Sequence, residues 1–538
     1  MSNTRLELVW PGKDQFLLIP KDNDGKPVWV DRDHPAAHEV RLTDFTSAVG
    51  DVDGIDPFAD NLLFTGDSLD VLRVLAEVPE YRRHYRGRVK CIYVDPPFNT
   101  GQTFTHYDDF LEHSVWLSFM RDRLTLMKDL LAADGSLWVH LDDAEVHRMR
   151  CLMDEVIGSQ NFIATVIWKR RNDPRNTAVH LSTDHDYVLV YAKDLAVCRF
   201  NKLPRTDSMD SAYVNPDDDP RGPWRRGDLA ARNYYSKGLY AVTTPSGRVI
   251  DGPPSGSYWR VSREELARLD ADGRIYWGTD GSSRPYLKRF LTDVAGGRVP
   301  STVWSPEEVG FVRNGKEETR ALVGDVFATP KPEKLLERVL FIGSSPGDIV
   351  MDLFGGSGST AAVAQKMGRR WVTSEISAVT VTDFTAPRLA QVVLGTDSGG
   401  ITSATGWTGG GGFRTVQVAD SLYSVTPLGV MLAQDAGGER FARAMAGQLG
   451  FDWEPDSDPF CGRRGRMRLA VFDGAVGVEE TAQVVACLGD KERVTIVAQV
   501  VLPGVEELLA ETSRGSRARK APRDVLTERR RPRRRATS

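Results

Sequence analysis

The sequence is expected to fold as an α/β layered sheet, and three observations carry that expectation. Apolar runs of strand length alternate with amphipathic helical stretches over residues 61–194. A glycine loop, Phe354-Gly355-Gly356-Ser357-Gly358-Ser359-Thr360, separates a strand-like run from a helix-like one. The next strand ends on an acid, Glu375, 17 residues beyond Gly358. An acid so placed after such a loop suits the ribose of a nucleoside-bearing ligand.

The elements follow in chain order. Residues 1–60 carry short alternating runs broken by Gly, Pro and Asp, and read as a β-rich N-terminal segment. Residues 62–75 read as a strand, a Gly66-Asp67 turn and a helix with Leu69, Leu72 and Leu75 on one side; Asp67 or Ser68 is placed to cap it. The apolar run 91–94 stops abruptly at Asp95-Pro96-Pro97-Phe98. Residues 114–131 form an amphipathic helix through Leu117, Met120, Leu124, Met127 and Leu131. Strand 136–141, a helix over about 143–157, and strands 162–168 and 186–192 complete a half-sheet, residues 61–194.

From 195 to 325 the regular pattern gives way to Asp, Gly, Pro, Arg and Tyr, with arginines interleaved with Trp and Tyr at loop-like spacing. That composition suits either a solvated irregular insert or loops that contact phosphates and bases. Strand–helix alternation returns over 326–397. Residues 398–465 read as a glycine-rich linker and mixed region, 466–512 as a small α/β subdomain, and 513–538 as a basic, disordered tail.

Composition sets bounds. With 538 residues, 41% apolar and 27% charged, the chain has the make-up of a soluble globular protein of several domains. Its start has no signal-peptide layout. The apolar stretch 494–502 is far shorter than the ~20 residues a membrane span needs, so a cytoplasmic protein without membrane contact is expected. The five cysteines (Cys91, Cys151, Cys198, Cys461, Cys487) form no CxxC pair, which argues against a disulfide framework or a metal site. The net charge of −5 is uneven: residues 514–538 carry +9 and the remainder −14. An acidic body does not exclude nucleic acid, because binding depends on local patches.

Two stretches carry chemistry. The glycine loop alone fits an oxidoreductase or a methyltransferase equally. The Asp95 loop alone also reads as a proline-rich strand exit. Two prolines nevertheless make it stiff and extended, holding a carboxylate, the Pro96 carbonyl and the Phe98 ring together. That set suits a flat ring with an exocyclic amine. Two acceptors hold the N–H bonds, which favours a tetrahedral nitrogen whose lone pair can attack a sulfonium methyl, and Phe98 stacks on the ring. A base must leave the duplex to reach such a pocket.

The motifs DPPFNTG at 95–101 and DLFGGSGST at 352–360 resemble the catalytic and cofactor motifs of amino-directed DNA methyltransferases. Their order, catalytic first, resembles the β class. GSLWVHLDD, HDYVLVYAK and TPKPEKLLERVL widen the likeness to the modification (Mod) subunits of type III restriction–modification systems. The resemblance implies a circularly permuted, Rossmann-like sheet with helices on both faces and S-adenosylmethionine as cofactor. It implies Asp95, Pro96, Pro97 and Phe98 as the catalytic loop. Asp352, Phe354, Gly355, Gly356, Gly358, Glu375, Thr329, Lys331 and Pro332 would bind the cofactor, and Trp168 and Lys169 would lie near the substrate base. It places a target-recognition domain at 195–325. Phe98 departs from the tyrosine more usual there: stacking survives and a hydroxyl is lost.

The expected function is therefore methylation of adenine N6 at a specific site in double-stranded DNA by a homodimer that joins a nuclease–helicase restriction subunit. Cytosine N4 as target and an orphan enzyme without a nuclease partner are the alternatives. Two other classes are a catalytically idle DNA-reading subunit, disfavoured by the intact Asp95 loop, and a dinucleotide oxidoreductase, disfavoured by the order and company of the motifs.

Overall fold

Inner strands of a parallel sheet are covered on both faces and so are apolar throughout; the runs NLLFT, VKCIYV and IVMD have that character. In the computed structural model, which describes residues 7–18, 27–99, 103–104, 107–108, 112–173, 179–294, 296–324, 327–426 and 429–526, these runs lie inside one ten-stranded sheet. The chain divides into two units, residues 1–200 with 301–538, and Asn201–Pro300.

The sheet belongs to the first unit. Its strands are β1 Thr43–Gly50, β2 Asn61–Thr65, β3 Val89–Val94, β4 Leu131–Leu141, β5 Phe162–Lys169, β6 His185–Ala192, β7 Val303–Trp304, β8 Ile349–Asp352, β9 Arg370–Glu375 and β10 Gly412–Val418. They lie in the order β7-β5-β6-β4-β3-β8-β9-β2-β10-β1. From β4 to β10 all neighbours are parallel. The hairpin β5–β6 adds antiparallel to β4, and β1 adds antiparallel to β10.

Helices cover both faces. On one, Ser68–Glu77, His113–Leu130 and Val146–Met153 bury Leu72, Leu75, Met120, Leu124 and Met149 against Leu62, Phe64, Ile92 and Val94. Asp67 caps the first of these helices, accepting from the Leu69 amide at 2.7 Å. Helices Glu333–Gly343, Ser359–Lys366 and Ala386–Leu394 form the other layer. The first of these ends so close to the sheet that a Cβ on Gly343 would stand 3.1 Å from the Cys91 sulfur. The connections from β3 to β4 and from β8 to β9 thus leave along opposite faces. This opens a crevice at the carboxyl ends of β3 and β8, the usual ligand site of open α/β sheets.

The unit Asn201–Pro300 is more regular than its composition suggests. Strands Trp224–Asp228, Tyr286–Phe290 and Ile275–Tyr276 form an antiparallel sheet. Leu229, Trp259, Leu266, Ile275 and Trp277 make a small core with helix Arg263–Ala271. The interleaved aromatics are therefore largely core. Its two ends meet: Leu203 and Arg298 exchange backbone hydrogen bonds of 2.9 and 2.8 Å. The expected insert boundary of 195–325 overruns this unit, because β7 and helix Val312–Val323 belong to the first one.

Three further expectations are corrected. The N-terminal segment supplies β1 to the central sheet, and the supposed linker supplies β10. The tail does not begin at 513. Residues Arg517–Lys520 pair in parallel with Arg493–Val501, and Ala521, Val525 and Leu526 are buried beside Phe441 and Phe451. Those few apolar residues, masked by surrounding arginines, suffice to order the segment; residues 527–538 lie outside the described ones. Among the described residues no helix is long and apolar enough to cross a membrane.

A chain ending at Thr512 is expected to lose the outer strand of the C-terminal sheet. Its C-terminal residues should melt at least about 5 °C below those of the full chain, a difference that amide exchange over residues 493–501 resolves from the central sheet.

Candidate active site

Strand β3 hands the chain to Asp95-Pro96-Pro97-Phe98 at the crevice. Pro96 is buried, and the Trp116 indole N–H donates to the Pro97 carbonyl at 2.8 Å. Asn99 then takes a left-handed conformation, φ 61°, uncommon for a residue with a Cβ. Its side-chain Nδ2 donates to Glu145 Oε1 at 2.7 Å, and the same oxygen lies 2.5 Å from His113 Nδ1. One fully buried carboxylate therefore fixes the loop's exit and the start of helix His113–Leu130.

The neighbouring strand β8 delivers the glycine loop. The Gly355 amide donates to the Ser374 carbonyl at 2.8 Å, and a Cβ there would stand 2.4 Å from Thr373 Oγ1. Gly358 is left-handed, φ +79°, as the turn into helix Ser359–Lys366 requires. Glu375, at the end of β9, accepts from the Gly356 amide at 3.0 Å and from the Ser377 amide at 2.9 Å. The acid and the loop thus meet, as their spacing predicts. Beneath them Asp352 accepts from Thr360 Oγ1 at 2.5 Å and from the Phe354 amide at 3.1 Å. Burial, with the nearby Asp95, pushes the Asp352 carboxyl up to about 7, against the Thr360 and Phe354 hydrogen bonds and the Lys331 cation.

Asp95, Thr329, Lys331, Asp352, Phe354, Gly355 and Gly356 line one cleft. Gly358 and Glu375 adjoin the loop lining this cleft, Glu375 through its hydrogen bond from the Gly356 amide. Pro332 sits just outside it, as the N-cap of helix Glu333–Gly343. The Lys331 ammonium donates to Asp95 Oδ2 and stands 5.0 Å from the Phe98 ring centre. Asp95 Oδ1 is buried with no hydrogen-bond partner among the described residues.

Trp168 and Lys169 are placed less directly. Trp168 is 1% exposed, and its indole N–H donates to the Gly310 carbonyl at 3.1 Å. It therefore offers no free face to a base, and Lys169 is exposed at the end of β5. What Trp168 does touch is His140, edge-on at 5.6 Å. Sequence reasoning missed His140, although a histidine inside an apolar strand was the available signal. Its ring stacks on Phe98 at 5.9 Å, and its Nδ1 lies 2.7 Å from the Tyr93 hydroxyl. Its Nε2 faces Asp186 Oδ2 at 3.4 Å. Burial first, and Lys331 second, lower the His140 pKa, so the ring stays neutral near pH 7. Burial works against the Asp186 anion, yet His140 and Arg170 hold that carboxyl below its usual range.

The geometry brings a glycine loop at the end of β8 and a carboxylate at the end of β3 to one cleft. The DNA methylase family model matches residues 89–385, which span both loops, and the chain belongs to that family. It is similar to the type III restriction-modification enzyme StyLTI Mod subunit of Salmonella typhimurium, 32% identical over 56% of this chain and 49% of that one. It is also similar to the type II methyltransferase M.EcaI of Enterobacter cloacae, 26% identical over 68% of this chain and 74% of that one. The type III EcoPI Mod subunit of Escherichia phage P1 is 26% identical over 56% and 54%. The chain spans about half the length of these Mod subunits.

The raised Asp352 carboxyl has a thermodynamic signature. A carboxyl that binds its proton more tightly folded than unfolded contributes stability that is fully present below about pH 4 and is lost as pH rises through about 7. Asp352→Asn should flatten that decline, read as urea midpoints of both proteins between about pH 5 and 8.

Proposed function

We propose that this chain transfers a methyl group from S-adenosylmethionine to adenine N6 in DNA. The observation that carries the reading is the buried Asp95 Oδ1, without a hydrogen-bond partner among the described residues, beside Phe98 in the cleft that also holds the glycine loop. The residues fit the cofactor: backbone without side chains at Gly355 and Gly356 borders the cleft, and Glu375 stands where ribose hydroxyls would donate. When bound, the cofactor supplies an electrophilic methyl on a sulfonium.

The chain's own part is positional and electrostatic. Asp95 Oδ1 accepts one amine N–H, which draws the nitrogen toward the tetrahedral form and frees its lone pair for the methyl carbon, whose bond to sulfur would break with its electron pair staying on sulfur as a thioether. The proton that the nitrogen then sheds passes to Asp95 and on to solvent. Phe98, backed by His140, stacks on the extruded base. Cytosine N4 offers the same amine chemistry and is the second reading.

The unit Asn201–Pro300 is the proposed target reader. Arg225 and Arg289 face each other across its strand pair, both exposed, with no carboxylate partner among the described residues. Like charges placed opposite cost stability, and phosphate would relieve that repulsion. The Mod relatives are named as subunits of restriction-modification enzymes, which supports pairing with a restriction subunit; a homodimer and a role in host protection belong to the same proposal.

The decisive assay is transfer of labelled methyl to DNA followed by nucleoside analysis. N6-methyladenine is expected, and N4-methylcytosine would decide for the second reading. Asp95→Ala should abolish transfer, while Phe98→Ala should lower kcat/KM about 10- to 100-fold through lost stacking and Phe98→Tyr should retain activity. Cofactor binding without transfer to any DNA would overturn the proposal. Separately, Arg225→Ala and Arg289→Ala should each reduce the slope of log affinity against log salt by about 1.

A further inference from the structure

Resting on the base-binding reading above, we infer that Lys331 is a positioning residue for Asp95, fixing one carboxylate oxygen so that the other faces the amine. The two residues lie 236 positions apart in sequence, in different motifs. The oxygens of Asp95 are unequal: Oδ2 is taken by the Lys331 ammonium, and Oδ1 is buried with no partner among the described residues. A carboxylate turns easily about its last torsion. A charge-assisted hydrogen bond to one oxygen stops that rotation and aims the other.

The lysine is itself held. Pro330 and Pro332 flank it, so the backbone on either side has its φ fixed. Gly315 lets helix Val312–Val323 press on this segment, since a Cβ there would stand 2.4 Å from the Pro330 carbonyl oxygen. Immediately after it, Glu333 is fully buried and bound to Arg388 at 2.9 Å and Lys366 at 2.8 Å. Arg388 also donates to Ser359 Oγ at 2.7 Å. One short segment is thus anchored to the helix that follows the glycine loop while its lysine holds the catalytic carboxylate. The same ammonium stands over Phe98, so it touches both side chains assigned to the base.

The competing role for Lys331 is that of a cofactor ligand, and a split between turnover and cofactor binding separates the two. Lys331→Met and Lys331→Arg are compared with the unaltered chain for kcat on DNA at saturating S-adenosylmethionine, and for S-adenosylhomocysteine affinity by calorimetry. We expect Lys331→Met to lower kcat about 10- to 100-fold, with S-adenosylhomocysteine affinity within about threefold, which also shows an intact cleft. Lys331→Arg should recover most of the loss. An unchanged or raised kcat in Lys331→Met, or affinity weakened tenfold or more at unchanged kcat, would overturn the inference. Absence of transfer by the unaltered chain would instead overturn the methyl-transfer reading and this inference with it.

Discussion

The pairing of β3 with β8 is the contact on which the site depends. Val89, Cys91 and Ile92 lie in parallel register with Ile349, Val350 and Met351. Both strands then end at the same edge, one at Asp95 and the other at Asp352 and the glycine loop. Backbone hydrogen bonds thus bring together two motifs that sequence separates widely. Because the following helices leave on opposite faces, a crevice opens between the two strand ends. The order of the motifs along the chain is immaterial to this geometry, and only the adjacency of the strands matters.

Much of this was legible beforehand, for physical reasons. Continuous apolar runs identified β2, β3 and β8. The period of 3.6 identified helix His113–Leu130, and the loop-to-acid spacing placed Glu375 against Gly356. Other features were not legible. β10, with Thr415 and Gln417 between its apolar residues, lacks the continuous apolar signal because it lies near the sheet's edge, paired in antiparallel with β1. The aromatic residues of Asn201–Pro300 resembled contact residues, but Trp224, Trp259 and Phe290 form core. The polar shell of the site was invisible for a different reason. His140, Asp186 and Glu145 act through partners distant in sequence, and no local pattern announces such partners.

A second polar cluster lies in the interior. Glu333, Arg388, Lys366 and Asp397 are all essentially fully buried and mutually paired. Burial, reinforced by Glu333, pushes the nearby Glu318 carboxyl up to about 7. Replacing such a cluster with apolar residues of equal volume is often neutral or stabilising, whereas removing one member is costly. What the charges add is a defined geometry. They tie together helices Glu333–Gly343, Ser359–Lys366 and Ala386–Leu394, which support the cleft from one side.

The bridge between Leu203 and Arg298 has a consequence for how such chains diversify. The unit between them closes on itself, with its own sheet and its own small core, so its entry and exit form a single socket. A module of this kind can be exchanged for another with the same pair of ends, leaving the strand register of the host undisturbed. Under the proposed reading, exchange of the segment between these two ends would change what is read while the Asp95 loop passed on unaltered.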